Sequence, residues 1–81
     1  MSAVADRLAE LGLTVPSVAM PVASYVPAKR SGRYVHTSGQ LPIVDGELQG
    51  VGKVGAEVTP ERAAELAQIC ALNMIAAVAS V

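Results

Sequence analysis

Residues 34–42 read YVHTSGQLP, and within this stretch the sequence changes from strand-forming to turn-forming residues. The side chains at positions 34–37 are β-branched or aromatic, and such residues suit a pleated, half-buried surface. Ser38 and Gly39 then end the pattern. Because glycine has no Cβ, a second backbone or a ligand can come close to it at the end of a strand. The stretch therefore predicts a strand that ends in a corner open to a ligand.

The residues before this strand predict its partner in a β-hairpin. Ser31-Gly32 is a turn signal between two alternating arms, which cover about residues 22–30 and 33–38. Across a hairpin centred on that turn, residues whose numbers sum to about 63 face each other, so that Tyr25 is opposite Ser38. A phenol, a hydroxyl and free backbone N–H groups then converge, which is the usual composition of a small-ligand site. Tyr25, Ser38 and Gly39 are therefore the candidate ligand-binding residues.

A capped helix is predicted near the end of the chain. Thr59, Pro60 and Glu61 provide an N-cap, a proline at the first helical position and an early carboxylate, as a helix N-terminus requires. We expect one face of this helix to pack on a sheet. At a spacing of about 3.6 residues that face comprises Ala63, Leu66, Ala67, Cys70, Met74, Ala77, Val78 and Val81. The last part is apolar all round, which predicts burial on every side, and Asn73 is expected to brace the helix to a loop.

The chain length allows one domain at most. We expect a helix over residues 1–12 that stops at Gly12, a hairpin and glycine-rich loop over 22–58, and a core helix over 59–81. Asp45-Gly46 marks a second turn. Between it and Val58 the frequent glycines predict mostly loop.

Composition predicts that this chain needs a partner. Apolar residues make up 52% of the sequence, yet Phe and Trp are absent and there are two tyrosines. Small side chains bury little area each, so a domain of this size is marginal alone. The final helix also reaches Val81 without a capping residue. We therefore expect an oligomer or a complementary chain, and a sequence that is part of a larger protein.

Charge and cysteine usage argue against several classes of function. The net charge of −1 and the pI of about 5.6 give no basic field for nucleic acid. Lys29, Arg30 and Arg33 form a local basic cluster, which we interpret as a solvated hairpin turn in preference to an anion site. Cys70 is the only cysteine, which fits a reducing compartment, and charged residues near the N-terminus predict no signal peptide. These features predict a cytoplasmic protein without nucleic-acid partners. The apolar end of the final helix is too short for a bilayer, which predicts no membrane contact.

The remaining motifs favour structural roles. Residues 50–55 fit the pattern G-x-G-x-x-G, but a dinucleotide site needs a strand before it and a helix opening on it. His36 has no partner of ligand type nearby, and Cys70 lies on the packed helix face, where a thiol is usually inert. We predict neither a metal nor a cofactor.

Two runs of sequence together resemble the RidA family, which is also called the YjgF family. They are SYVPAKRSGRYVHTSGQLP at residues 24–42 and VDGELQGVGKVGAEVTPERAAELAQICALNMIAAV at residues 44–78. The resemblance covers residues 22–81 without a gap, and the succession of SGQLP, GKVG and ALN carries it. Within the family, the GKVG loop and the ALN helix are typical of one branch.

The resemblance implies a chorismate-mutase-like α+β fold, in which a sheet packs on helices and three subunits form pockets between them. It also implies hydrolysis of small 2-enamine or 2-imine acids to 2-oxo acids and ammonia, with Tyr25 as the catalytic pocket tyrosine and Ser38 and Gly39 at the pocket corner. Family members are about twice as long. Their substrate-binding arginine lies in the second half, so this chain is expected to be an N-terminal half. A non-catalytic ligand-binding or chaperone-like trimer and an endoribonuclease remain as alternatives.

Overall fold

Two helices and four short strands alternate with loops along residues 2–81, which are the residues that the computed structural model describes, apart from the side chain of Ser2. The elements are α1 (Ser2–Glu10), β1 (Ala28–Ser31), β2 (Tyr34–Thr37), β3 (Ile43–Val44), β4 (Glu47–Leu48) and α2 (Pro60–Ala79). β1 pairs with β2 and β3 with β4, both antiparallel, and α2 contacts β2 and β3. The α+β class is confirmed.

Helix α1 ends at Glu10, two residues before the glycine that predicts its end. Gly12 has a φ of 73°, a value that glycine adopts without strain. Its N–H donates to the carbonyl of Ala9 at 3.1 Å, and the N–H of Leu13 donates to the carbonyl of Leu8 at 2.9 Å. This pair of bonds is the Schellman motif, which satisfies the last carbonyls of a helix. Leu8 is buried, whereas Leu11 is 55% exposed, so α1 adds little to the core.

The register of the first hairpin differs from the prediction. Lys29 is opposite His36 and Arg30 is opposite Val35, so facing residues sum to 65 and the two-residue loop is Gly32-Arg33. Gly32 has a φ of 61° and Arg33 has no positive φ, which is the pattern of a type II′ turn with glycine first. Placing glycine second in the loop was the error. Ser38 therefore faces Pro27, and the predicted pairing of Tyr25 with Ser38 is wrong.

A proline determines where this hairpin ends on the side opposite its turn. Position 27 would form a mutually hydrogen-bonded pair with Ser38, because such pairs alternate along an antiparallel ladder. Ser38 donates its N–H to the Pro27 carbonyl at 3.1 Å, but Pro27 has no N–H to return. β1 therefore begins at Ala28 and not at about 22 as predicted.

The second hairpin forms at the predicted turn. Asp45 and Gly46 have φ values of 51° and 80°, and positive values at both positions are typical of a type I′ turn. The prediction of mostly loop after Gly46 missed strand β4. Beyond it, the Lys53 carbonyl accepts the N–H groups of Ala56 and Val58, which closes the glycine-rich segment into a compact loop.

Helix α2 starts as predicted but turns a different face inward. The Thr59 hydroxyl accepts the N–H of Arg62 at 3.1 Å and caps the helix. Asn73, Ala76 and Ala77 are its buried residues, whereas Met74 is 44% exposed. The predicted face was thus correct for Ala77 and wrong in placing Met74 and Val81 inside, and the predicted burial on all sides is not seen in this chain.

The described chain exposes more surface than a compact monomer of its mass. Its accessible surface is 5,901 Å², whereas a folded monomer of this mass exposes about 4,600 Å². No large side chain is fully buried among residues 3–81. By length and composition alone α2 could cross a bilayer. The prediction of no membrane contact was drawn from the apolar end of the helix and therefore does not extend to its whole length. The buried Asn73 of α2 is nevertheless typical of a helix that packs on protein.

Candidate functional site

The candidate corner is held to the first hairpin by Ser38. The Pro27 carbonyl accepts two hydrogen bonds from this residue, one from the backbone N–H at 3.1 Å and one from Oγ at 3.3 Å. Ser38 is half-buried, and Gly39 beside it is exposed. No atom lies within 4 Å of the position that a Cβ on Gly39 would occupy. The corner is therefore fixed on one side and open on the other.

Tyr25 lies close to this corner along the chain but not opposite it. One residue, Val26, separates it from Pro27, so their Cα atoms are at most about 7 Å apart. Its side chain is 38% exposed, and its Oη accepts the N–H of Val22 at 3.4 Å. Among the described hydrogen bonds none joins Tyr25 to Ser38. The structure thus brings Ser38 and Gly39 together with Pro27 and places Tyr25 on the segment that leads into Pro27.

The corner offers unused hydrogen-bond donors. In the described part of the chain, the backbone N–H groups of Gly39 and Gln40 make no hydrogen bond with protein. The Tyr25 oxygen already accepts one bond, so its own hydrogen is available to a ligand. These groups can bind a carboxylate, a carbonyl oxygen or a water molecule. Tyr25 is the only ionisable residue among the three candidates.

Asn73 holds the loop that follows the corner. It is 2% exposed, and its Nδ2 donates to the carbonyls of Leu41 at 2.9 Å and Ile43 at 3.0 Å. The predicted bracing of helix to loop is confirmed. The sequence analysis did not predict that Pro27 takes part in the candidate corner. The available signal was that proline has no N–H and therefore tends to stand at the end of a strand.

Two surface clefts lie away from this corner. One of about 320 Å³ separates residues 16–22 from the turn after β3, and one of about 250 Å³ lies at the tip of the first hairpin. Neither is lined by Tyr25, Ser38 or Gly39. Residues 2–81 bring together no cluster of three or more histidine, cysteine or acidic side chains that could hold a metal ion.

Comparison with known proteins identifies the fold. No family model matches the chain. A candidate endoribonuclease from Shewanella oneidensis MR-1 has a solved structure that superposes with a TM-score of 0.83 at 33% identity, over 93% of this chain and 50% of that one. The chain has a RidA-like fold. Endoribonuclease is a name that proteins of the RidA, or YjgF, type carry.

Two further proteins are similar over nearly the whole chain. Atu1372 from Agrobacterium tumefaciens, a protein of unknown function, superposes with a TM-score of 0.80 at 38% identity, over 98% of this chain and 47% of that one. Protein TCP17 of Trypanosoma cruzi is 38% identical over 72 residues, which are 89% of this chain and 45% of that protein. The chain thus spans about half the length of the RidA-like and other relatives that it matches.

Proposed function

We propose that this chain is the N-terminal half of a RidA-like protein that binds small reactive imino or enamino acids and hydrolyses them to 2-oxo acids and ammonia. One observation carries the proposal. Ser38 donates two hydrogen bonds to the Pro27 carbonyl. They hold the corner, with the free N–H groups of Gly39 and Gln40, beside the segment that bears Tyr25. The RidA-like fold is the context in which such a corner suggests this chemistry.

The reaction needs few groups from the protein. An enamino acid first takes a proton at C3 and becomes the iminium acid. Water then adds to C2, which forms a C–O bond, and one proton of that water moves to the nitrogen. The C–N bond breaks as the C2 carbonyl forms, the remaining hydroxyl proton passes to solvent, and ammonia leaves. We assign one of two tasks to the Tyr25 hydroxyl, which either orients this water by a hydrogen bond or relays the water's proton to the departing nitrogen. The N–H groups of Gly39 and Gln40 stabilise negative charge on the carboxylate or on the oxygen that develops at C2.

We also propose that the complete site lies between subunits. The chain exposes about 1,300 Å² more than a folded monomer of its mass. A stable interface buries about 800 Å² on each partner, so the excess is large enough for one. A homotrimer or a complementary chain would cover it. The three candidate residues include no cation, so we assign the anchor of the substrate carboxylate to residues outside this corner.

The cytoplasm is the proposed place of action. Cys70 is a free thiol on a half-buried helix position, as a reducing compartment allows. We propose neither nucleic acid nor a membrane as a partner.

A non-catalytic ligand-binding protein is the second candidate. The corner favours it in one respect, since Tyr25 alone among the three candidates can exchange a proton.

Ammonia release from enzymatically generated 2-aminoacrylate separates the two functions. We expect the complete protein of which this chain is half to accelerate release above the rate in buffer, because the 81 residues alone lack the arginine that the family carries in its second half. Saturable binding of a 2-oxo acid without acceleration would assign the second function, and RNA degradation by a nuclease-free preparation would assign an endoribonuclease.

A further inference from the structure

The cleft at the tip of the first hairpin combines two guanidinium groups with an apolar floor. This tip cleft, of about 250 Å³, lies where the hairpin meets the last turns of α2. Its lining residues are Arg30, Gly32, Arg33, Val35, Val78 and Val81. Arg30 is opposite Val35 in the ladder, and the turn at Gly32 carries Arg33 to the same cleft.

Both arginines of the tip cleft are available to a ligand. The ion pairs within the described residues are Arg7 with Glu10 and Arg62 with Glu65, so neither Arg30 nor Arg33 is neutralised by a carboxylate there. Nε of Arg30 donates to the Gly32 carbonyl at 3.2 Å. That bond orients the guanidinium and leaves its two terminal nitrogens free. The tip is thus a local excess of positive charge in a chain whose net charge is −1.

We propose that the tip cleft binds a small carboxylate that carries an apolar substituent, in place of the solvated turn that the sequence favoured for these arginines. A guanidinium matches a carboxylate with two parallel hydrogen bonds, and it loses less hydration than an ammonium when it does so. The valine floor takes the apolar part of the same molecule. The cleft is smaller than the roughly 300–1,000 Å³ of pockets that hold drug-sized ligands, so the ligand is small.

This site is separate from the corner at Ser38. The tip cleft and the Pro27–Ser38 pair lie at opposite ends of the same hairpin. Carboxylate binding at the tip therefore holds whether or not Tyr25 takes part in hydrolysis. A competing role for the arginines comes from α2, whose last turn has no basic residue. Cations near a helix C-terminus stabilise it, and that role needs no ligand.

A titration of the ¹⁵N-labelled chain with 3-phenylpropionate, followed by NMR, tests the proposal. We expect saturable shifts confined to amides near residues 30–35 and 78–81. Arg30→Gln and Arg33→Gln should each weaken binding about tenfold, the value of one charged hydrogen bond. Arg7→Gln, an exposed arginine of α1, is the matched control and should change nothing. Neutral 3-phenylpropanol and inorganic phosphate should each bind at least about tenfold more weakly, because one lacks the charge and the other the apolar group.

Three results would overturn the proposal. The first is the absence of saturable shifts at the tip. The second is unchanged affinity in both glutamine variants, and the third is equal affinity for phosphate, which would exclude the valine floor. If the variants lower the thermal stability of the chain while no carboxylate binds, the arginines serve only the end of α2.

Discussion

The side-chain amide of Asn73 donates a hydrogen bond of 2.9 Å to the backbone carbonyl of Leu41, and so fastens α2 to the loop that follows the candidate corner. A second bond of 3.0 Å joins the same nitrogen to the carbonyl of Ile43. Asn73 is the one buried polar residue among those described, and both bonds bridge about thirty positions of sequence. The geometry of the corner therefore depends on a residue that does not touch it.

Replacing this amide should lower stability. Asn73→Ala loses two hydrogen bonds at a buried position, and we expect the free energy of unfolding to fall by about 2 kcal/mol. Urea denaturation followed by circular dichroism measures this change. Gln68→Ala, at an exposed position of the same helix, is the control and should stay within about 0.5 kcal/mol of the parent chain. Equal effects of the two substitutions would show that the Asn73 bonds contribute nothing specific.

Gly52 should tolerate no side chain. Its φ is 128°, and a Cβ there would lie 2.6 Å from the Cβ of Glu57. We expect Gly52→Ala to lower the free energy of unfolding by about 3 kcal/mol or more, because the effects of backbone strain and overpacking add.

The matched control for Gly52 separates strain from overpacking. Gly55 also has a positive φ, of 91°, but open space around its Cβ position. Gly55→Ala should therefore lower the free energy of unfolding by only about 1–2 kcal/mol. Thermal denaturation of both variants provides the comparison, and a larger loss in Gly55→Ala than in Gly52→Ala contradicts this account of the loop.

The cap of α2 gives a third prediction. Thr59→Ala removes the acceptor for the Arg62 N–H and should destabilise the chain by about 1 kcal/mol, whereas Thr59→Ser retains the hydroxyl and most of the stability. Thr14→Ala, in the exposed segment after α1, makes the same chemical change away from any helix end. Urea midpoints of the three variants should place Thr59→Ala alone below the others.

Gly39 allows the corner to be tested apart from stability. Its φ is not positive and nothing lies near its Cβ position, so Gly39→Ala should change the free energy of unfolding by less than about 0.5 kcal/mol. A methyl group there would obstruct the N–H groups of Gly39 and Gln40. We expect ammonia release to fall about tenfold or more, since loss of one donor to developing charge has at least that effect. A fully active variant would place the site elsewhere.

Local signals in the sequence were sufficient for turns and helix ends. Asp45-Gly46 and Thr59-Pro60 each specify a backbone geometry by their own chemistry, and both predictions are confirmed. The RidA-like fold was also predicted from the sequence, and it agrees with the solved structures that superpose on this chain with TM-scores of 0.83 and 0.80.

The pairing register and the inner face of α2 could not be predicted in the same way. Glycine can occupy either central position of a two-residue turn, and the choice at Gly32 moved the partner of Ser38 from Tyr25 to Pro27. Asn73 is not among the residues of the helix face that the sequence predicts to be buried, yet it is 2% exposed. Two carbonyls of a distant loop make its burial favourable, and a sequence does not show which carbonyls a fold will supply.

The role of Tyr25 is tested most directly by comparing its phenylalanine variant with that of the other tyrosine in the chain. Tyr34 is 74% exposed on β2 and lies outside the corner. With 2-aminoacrylate as substrate, we predict that Tyr25→Phe lowers the rate of ammonia release about tenfold or more, while Tyr34→Phe stays within about twofold of the parent chain. Equal rates for the two variants, above the rate in buffer, would contradict the assignment of Tyr25 to the reaction.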